Sequence, residues 1–172
     1  MSKVLFELSL GESRCVKVKQ HGEETFTVEI CHEETGNGQD MSLSRWKNFC
    51  DSLEEIVKTV QELKGNKEVN MRIHLGGHVY VSVCSPYKCV NIRQWVRGSY
   101  GDKPLLPTSN GVSLKFAQWE FMTSRLPEIN FQLPVDLDTV VPCQFADDHA
   151  NQLGMLRCSE CNPDGYRDYI NY

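Results

Sequence analysis

Residues 71–125 read MRIHLGGHVYVSVCSPYKCVNIRQWVRGSYGDKPLLPTSNGVSLKFAQWEFMTSR, and the fold follows from how this stretch is parsed. It reads as four short strands, Val69–Leu75, Val79–Val83, Val90–Val96 and Val112–Leu114, followed by one amphipathic helix. Gly76-Gly77 and Pro86-Tyr87 mark the first two turns, and a long loop runs through Gly101, Pro104, Pro107 and Gly111. Side chains on a strand alternate faces with a period of two. Arg93, Trp95 and Arg97 therefore share one face, and Ile92 and Val96 the other. Two guanidiniums flanking an indole on a solvated sheet face suit a nucleic acid strand: the cations take phosphates, and the ring stacks on a base. A half-wet strand whose Trp closes the edge of the core fits the same pattern.

The same order of elements occurs upstream. Val4–Leu10 alternates and ends at Gly11, Cys15–Lys19 places Val16 and Val18 inward, and Thr25–Ile30 lines up Phe26, Val28 and Ile30. A loop spans Glu33–Asp40. Ser42 or Ser44 is a helix N-cap ahead of Trp46, Phe49, Leu53, Ile56, Val57 and Val60, which fall three or four apart, and Gly65 is a stop. Leu10-Gly11 returns as Leu75-Gly76, Met41-Ser42-Leu43 as Val112-Ser113-Leu114, and the helix beginning at Trp46 as one carrying Trp119, Phe121, Met122 and Leu126. The period of about 65 residues marks a duplicated domain, not a solenoid. The expected fold class is α+β: two tandem β-β-β-β-α units, residues 1–65 and 66–133, and a tail, 134–172. One such unit covers a single sheet face. Two can bury their helix faces on each other as an intramolecular pseudo-dimer about a pseudo-twofold axis, alone or in a further homodimer.

Charge separates the three parts. The chain carries −5 overall. Residues 1–65 hold 8 Lys/Arg against 12 Asp/Glu, residues 66–133 hold 8 against 4, and residues 134–172 hold 2 against 7. A polyanion would find its attraction in the middle block. No apolar run approaches the roughly 18 residues that span a bilayer, and MSKVLFELSLGESR is too short and too alternating for an export signal. The eight cysteines are thus expected to be reduced thiols or metal ligands in an intracellular, nuclear or nucleocytoplasmic protein.

Tyr80-Val81-Ser82-Val83, Val90-Asn91-Ile92-Arg93 and Val112-Ser113-Leu114 with Trp119 five residues beyond the Leu resemble the positive cofactor four family of transcriptional coactivators. The C-terminal domain of that family binds single-stranded DNA. The likeness covers roughly residues 4–130; the first repeat, with Met41-Ser42-Leu43 and Trp46, fits more loosely, two residues short at the helix start. It implies β-β-β-β-α units paired through their helices, with a single strand lying along the curved sheets. Arg93 falls on the family's basic position at the end of the third strand. Tyr87 is the nearest aromatic to its stacking Phe, Trp95 lies one residue before its stacking Trp, and Lys88 and Lys103 sit near family lysines. Cys84 stands where the family has an Arg. In the first repeat Lys19 fills that Arg position with Lys17 on its face, but Cys31 replaces the third-strand Arg, His21 the stacking Phe, and Glu29 and Glu33 project outward. The expectation is one asymmetric single-stranded DNA or RNA site, mostly on the second repeat and extended by Lys17 and Lys19, with transcription or replication proteins as further partners. The alternative is a protein-interaction adaptor on the same fold whose nucleic acid binding has decayed.

The tail holds Cys143-x5-His149-x8-Cys158-x2-Cys161. A Cys-x2-Cys knuckle supplies one side of a tetrahedral Zn2+ site, and an upstream Cys and His complete it. A redox pair or unconnected thiols are the alternatives. Tyr166, Tyr169 and Tyr172, three apart, suit a docking turn. With no phosphate-binding loop, nucleophile elbow or His-Glu-x-x-His pair, an enzyme is not expected.

Overall fold

The computed structural model describes residues 1–97, 104–146, 149 and 156–164. Lys103, Gly101, Tyr166, Tyr169 and Tyr172 lie outside the described residues. The first repeat is β1 (Ser2–Gly11), β2 (Arg14–His21), β3 (Thr25–His32), β4 (Gly38–Ser42), α1 (Leu43–Asp51) and α2 (Leu53–Lys64). The second is β5 (Asn70–Gly76), β6 (Val79–Cys84), β7 (Cys89–Arg97), β8 (Leu105–Lys115), α3 (Phe116–Ser124) and α4 (Leu126–Phe131). Each repeat forms a four-stranded antiparallel sheet in sequential order, β1-β2-β3-β4 and β5-β6-β7-β8, as the duplicated pattern predicts.

The duplication extends to backbone detail. Glu12 and Ser13 turn the first hairpin with φ of 50° and 64°, and Gly77 and His78 turn the fourth strand pair of the chain with φ of 56° and 65°. Two consecutive left-handed residues are the mark of the hairpin turn whose twist matches its strands. In both cases the register shifts just before the turn, between Ser9 and Gly11 and between His74 and Gly76, so Leu10 and Leu75 are the bulged residues of equivalent strands.

Three details differ from the sequence reading. Each expected helix is two. Ser52 donates its N–H to both Asn48 O and Phe49 O, tightening the turn between α1 and α2. Pro127 at the start of α4 cannot donate to the preceding turn and crowds it, which breaks the second helix at Arg125. The loop before Val112 is shorter than expected, because Pro107 and Gly111 lie within β8. Finally, Val96 is 46% exposed while Ile92 is fully buried. The β7–β8 hairpin outruns the core, and Val96 pairs there with the exposed Leu106. Phe121 also faces out of α3, although Trp119, Met122 and Leu126 are buried.

The helical faces meet in one core shared by both repeats. Trp46 stacks on Phe49 with ring centroids 5.0 Å apart, and Phe49 meets Trp119 edge-on at 5.9 Å. Trp46 Nε1 donates to Asn130 Oδ1 at 2.7 Å, tying α1 to α4. Ser42 caps α1 by accepting from Arg45 N. At the edges the repeats exchange contacts reciprocally. Gln118 of α3 donates to Gly11 O on the first hairpin at 2.8 Å, and Asn48 of α1 donates to Leu75 O beside the equivalent hairpin at 2.9 Å. Gln39 of β4 reaches Asn110 O of β8 at 2.7 Å. Each helix pair thus seats against the other repeat's first hairpin, the arrangement of a pseudo-dimer. No helix among the described residues is long and apolar enough to cross a membrane.

Candidate functional site

The outer face of the second sheet gathers rings and cations from three strands. Register pairs His74 with Tyr80 and Tyr80 with Arg93, so these side chains share the face opposite Val79, Val81 and Val83, which are buried. Trp95 joins them, edge-on to Tyr80 at 6.3 Å. Arg72, a residue the motif reading passes over, spans the group: its guanidinium lies 4.8 Å from the Trp95 ring centre and 5.5 Å from that of Tyr80. The alternation of Arg72 and His74 against Ile73 and Leu75 is the signal that would have placed it here. The Trp95 indole N–H has no hydrogen-bond partner among the described residues.

Arg93 is half-buried, donates to Thr108 O at 2.7 Å and lies 3.4 Å from Ser113 Oγ, which in turn contacts Asn91 Oδ1. Burial pulls its pKa below the usual guanidinium value, and an Arg side chain stays charged in proteins. No carboxylate neutralises it among the described residues. Arg97 does meet one: its Nε donates to Asp164 Oδ2 at 2.9 Å. Tyr87 is 68% exposed beside Lys88 at the β6–β7 turn.

The first sheet presents a different face. Lys17 stands opposite Glu7 on one side and Glu29 on the other. Lys19 pairs with Glu29 at 3.5 Å and Asp40 at 3.3 Å. Of these two lysines, expected to extend the nucleic acid site, Lys19 is ion-paired within its own sheet, and Lys17 is flanked in register by carboxylates. Asp40 lies in β4, where the sequence reads as loop, so its reach across to Lys19 was not visible. Cys15 and Cys31 face each other across β2 and β3 with sulfurs 3.4 Å apart, and burial pushes both thiols up.

The four tail residues singled out from spacing come together. Cys143, His149, Cys158 and Cys161 place one ligand atom each within 4.8 Å of all the others. Cys143 Sγ is 3.7 Å from Cys158 Sγ and 4.0 Å from His149 Nδ1, and Cys161 Sγ is 3.3 Å from His149 Nδ1. A tetrahedral cation at ordinary ligand distances sets sulfurs about 3.8 Å apart and sulfur and nitrogen about 3.5 Å apart. The cluster could hold a metal ion. Burial raises the Cys158 thiol, but hydrogen bonds from the backbone N–H groups of Cys161 and Glu160 and from the Cys143 and Cys161 thiols together leave it lowered. Burial and the neighbouring thiols push Cys161 up to about 12, an opposition that a cation would reverse.

The cluster sits against the seam between repeats. Cys143 N donates to Ser44 Oγ at 2.8 Å, and Gln144 and Asn48 exchange amide hydrogen bonds. Glu160 takes a bidentate pair from Arg45 and accepts from Gly77 N through its backbone carbonyl at 2.8 Å. This makes the two hairpins inequivalent. A Cβ added at Gly11 would meet nothing within 4 Å, whereas one at Gly76 would strike the Glu160 carboxylate. Both glycines have positive φ, so alanine strains the backbone at each by about 1–3 kcal/mol. Gly76→Ala is expected to lower stability in urea by a further 1 kcal/mol or so beyond Gly11→Ala, because it also displaces the tail; equal losses would show that the tail does not seat on this turn.

No family model, curated protein or solved structure matches the chain.

Proposed function

We propose that this chain is a single-stranded nucleic acid binding protein of the positive cofactor four type, with DNA the expected strand, and that the outer face of its second sheet is the binding surface. The observation that carries this reading is the platform of Trp95 and Tyr80 under the Arg72 guanidinium, with Arg93 uncancelled by any described carboxylate. A base stacked on such a ring contributes about 1–3 kcal/mol, and neighbouring guanidiniums hold its phosphates. The first sheet, whose lysines face Glu7, Glu29 and Asp40, serves as structural partner. A net charge of −5 supplies no general attraction, so binding depends on the local patch and weakens steeply with salt. A nuclear role in transcription or genome maintenance goes with this reading. In the tail, three cysteine sulfurs and one imidazole within 4.8 Å of one another suit Zn2+ as the cation, which takes such ligands tetrahedrally.

Fluorescence anisotropy with labelled single- and double-stranded oligonucleotides tests the surface. Trp95→Ala is expected to weaken single-strand binding about 5- to 150-fold, the loss of one stacked base, while Lys17→Ala leaves it nearly unchanged. If Arg93→Ala combined with Trp95→Ala binds as the unaltered protein does, the surface is misplaced. The adaptor reading is favoured by a separate observation, the exposure of the large apolar side chains Phe131 (85%), Phe145 (70%) and Val141 (59%) after α4 and in the tail. It is the reading that survives if no oligonucleotide binds at about 100 mM salt or at about 20 mM, where phosphate contacts are strongest.

A further inference from the structure

We infer that the tail is a metal-set gate on the cationic end of the second sheet: Asp164 occupies, on Arg97 and His78, the place of a nucleic acid phosphate, and the Cys143–His149–Cys158–Cys161 cluster keeps it there. The inference rests on the sheet face being the nucleic acid surface.

The two oxygens of Asp164 each take one donor. Oδ2 accepts from Arg97 Nε at 2.9 Å, and Oδ1 lies 2.9 Å from His78 Nε2. An anion bridged by a guanidinium and an imidazole is how phosphate oxygens are also held. The contact lies at the rim of the platform, since the His78 ring stacks beside Tyr80 with centroids 6.4 Å apart. Burial raises the Asp164 carboxyl, but hydrogen bonds from His78 and Arg97 and their charges outweigh it and hold it below the ordinary aspartate value. The carboxylate is therefore present as a competing anion at neutral pH.

What keeps Asp164 in place is the knuckle. It follows Cys161 by three residues, a span of at most about 10 Å, so fixing Cys161 confines it to the rim. The hydrogen bonds and ion pairs between residues 156–164 and the repeats come from Glu160, on Arg45 and Gly77 N, and from Asp164, on Arg97 and His78. These pairs are partly covered, but they act on single side chains and leave the backbone between them unfixed. A cation that ties Cys158 and Cys161 to Cys143 and His149 closes the segment onto Cys143, which is anchored to Ser44 of α1. With the metal bound, Arg97 and His78 are engaged by Asp164; with the metal removed, both are released to the nucleic acid.

The test uses the full chain loaded with Zn2+, a labelled oligo-dT, and hydrogen exchange across residues 156–164. Asp164→Ala, which retains all four ligands, is expected to tighten oligo-dT binding about three- to tenfold and to steepen the slope of log affinity against log salt by about one phosphate contact. Asp138→Ala makes the same charge change at a side chain that is 93% exposed, and its gain is expected to be smaller. Chelation of the Zn2+ is expected to abolish protection of residues 156–164 and to tighten binding to the same extent as Asp164→Ala. Unchanged protection on chelation overturns the coupling to the metal. A gain from Asp164→Ala no larger than that from Asp138→Ala, in protein that does bind, overturns the gate while leaving the sheet face intact. If neither the unaltered chain nor Asp164→Ala binds oligo-dT at about 20 mM salt, where phosphate contacts are strongest, the nucleic acid reading itself is wrong and the gate falls with it.

Discussion

Trp46→Ala is expected to bring the whole molecule to the edge of unfolding, not to loosen one repeat. The side chain is fully buried, stacks on Phe49, and through Phe49 reaches Trp119 of the other repeat. Truncating a buried Trp costs about 3–5 kcal/mol, and stranding the Asn130 amide that now accepts its N–H at 2.7 Å adds roughly 1–3 kcal/mol. Against the 5–15 kcal/mol typical of a domain, little remains. Because the helices of both repeats pack into one shared core, loss at Trp46 is felt by both sheets. Urea denaturation followed by circular dichroism should give one cooperative transition, shifted far to lower denaturant in Trp46→Ala. Trp46→Phe, which keeps most of the ring packing and removes only the donor, should fall between. Residues 1–65 made alone should not fold, since one sheet with an uncovered helix face buries too little surface. Two separate transitions, or an independently folded first repeat, would refute the pseudo-dimer.

The duplication was legible because it is written in residues whose backbone demands are severe. Leu-Gly at the end of a strand, twice, 65 residues apart, marks a repeated turn, and the structure adds that both strand ends carry a register shift and a left-handed pair. Val16, Val18, Ile30, Val81 and Val83 lie inward as their alternation predicts. The candidate metal cluster was legible for a different reason: thiols and an imidazole at knuckle spacing in an acidic tail have few other chemical uses, and the four residues do converge.

What stayed hidden depends on distances between elements that no local pattern encodes. Alternation places Arg72 on the outer face, but its position over Trp95 requires reaching across Tyr80 and the whole width of β6. Asp40 quenches Lys19 only because β4 begins at Gly38, within what reads as a turn-rich loop. Val96 obeys the period of two and is nevertheless exposed, because alternation decides the face and the extent of the core decides burial. Asp164 had no signal at all. It engages Arg97, 67 residues away in sequence, through a tail whose path is set by its own anchors.

The second large effect is expected at the tail cluster. The chain should bind one Zn2+, seen as a single mass increment by native mass spectrometry and lost to a strong chelator. Apparent binding energies for structural zinc run to about 10–16 kcal/mol, so one of four ligands carries roughly 3–4 kcal/mol, a hundred- to thousandfold in affinity. Cys158→Ala and Cys161→Ala should each show a loss of that size in competition with a chromophoric chelator, and His149→Ala a comparable one. Cys84→Ala removes an exposed thiol on the outer edge of β6 and should change nothing, which separates a built site from general thiol affinity. The loss should also propagate. Cys143 N rests on Ser44 Oγ, and Gln144 on Asn48, so these amides should exchange faster in Cys158→Ala than in the zinc-bound protein although neither is a ligand contact. Undiminished zinc affinity in Cys158→Ala, Cys161→Ala and His149→Ala alike would mean that the convergence of these side chains is packing and not coordination, since a tetrahedral site cannot lose any one of its corners without cost.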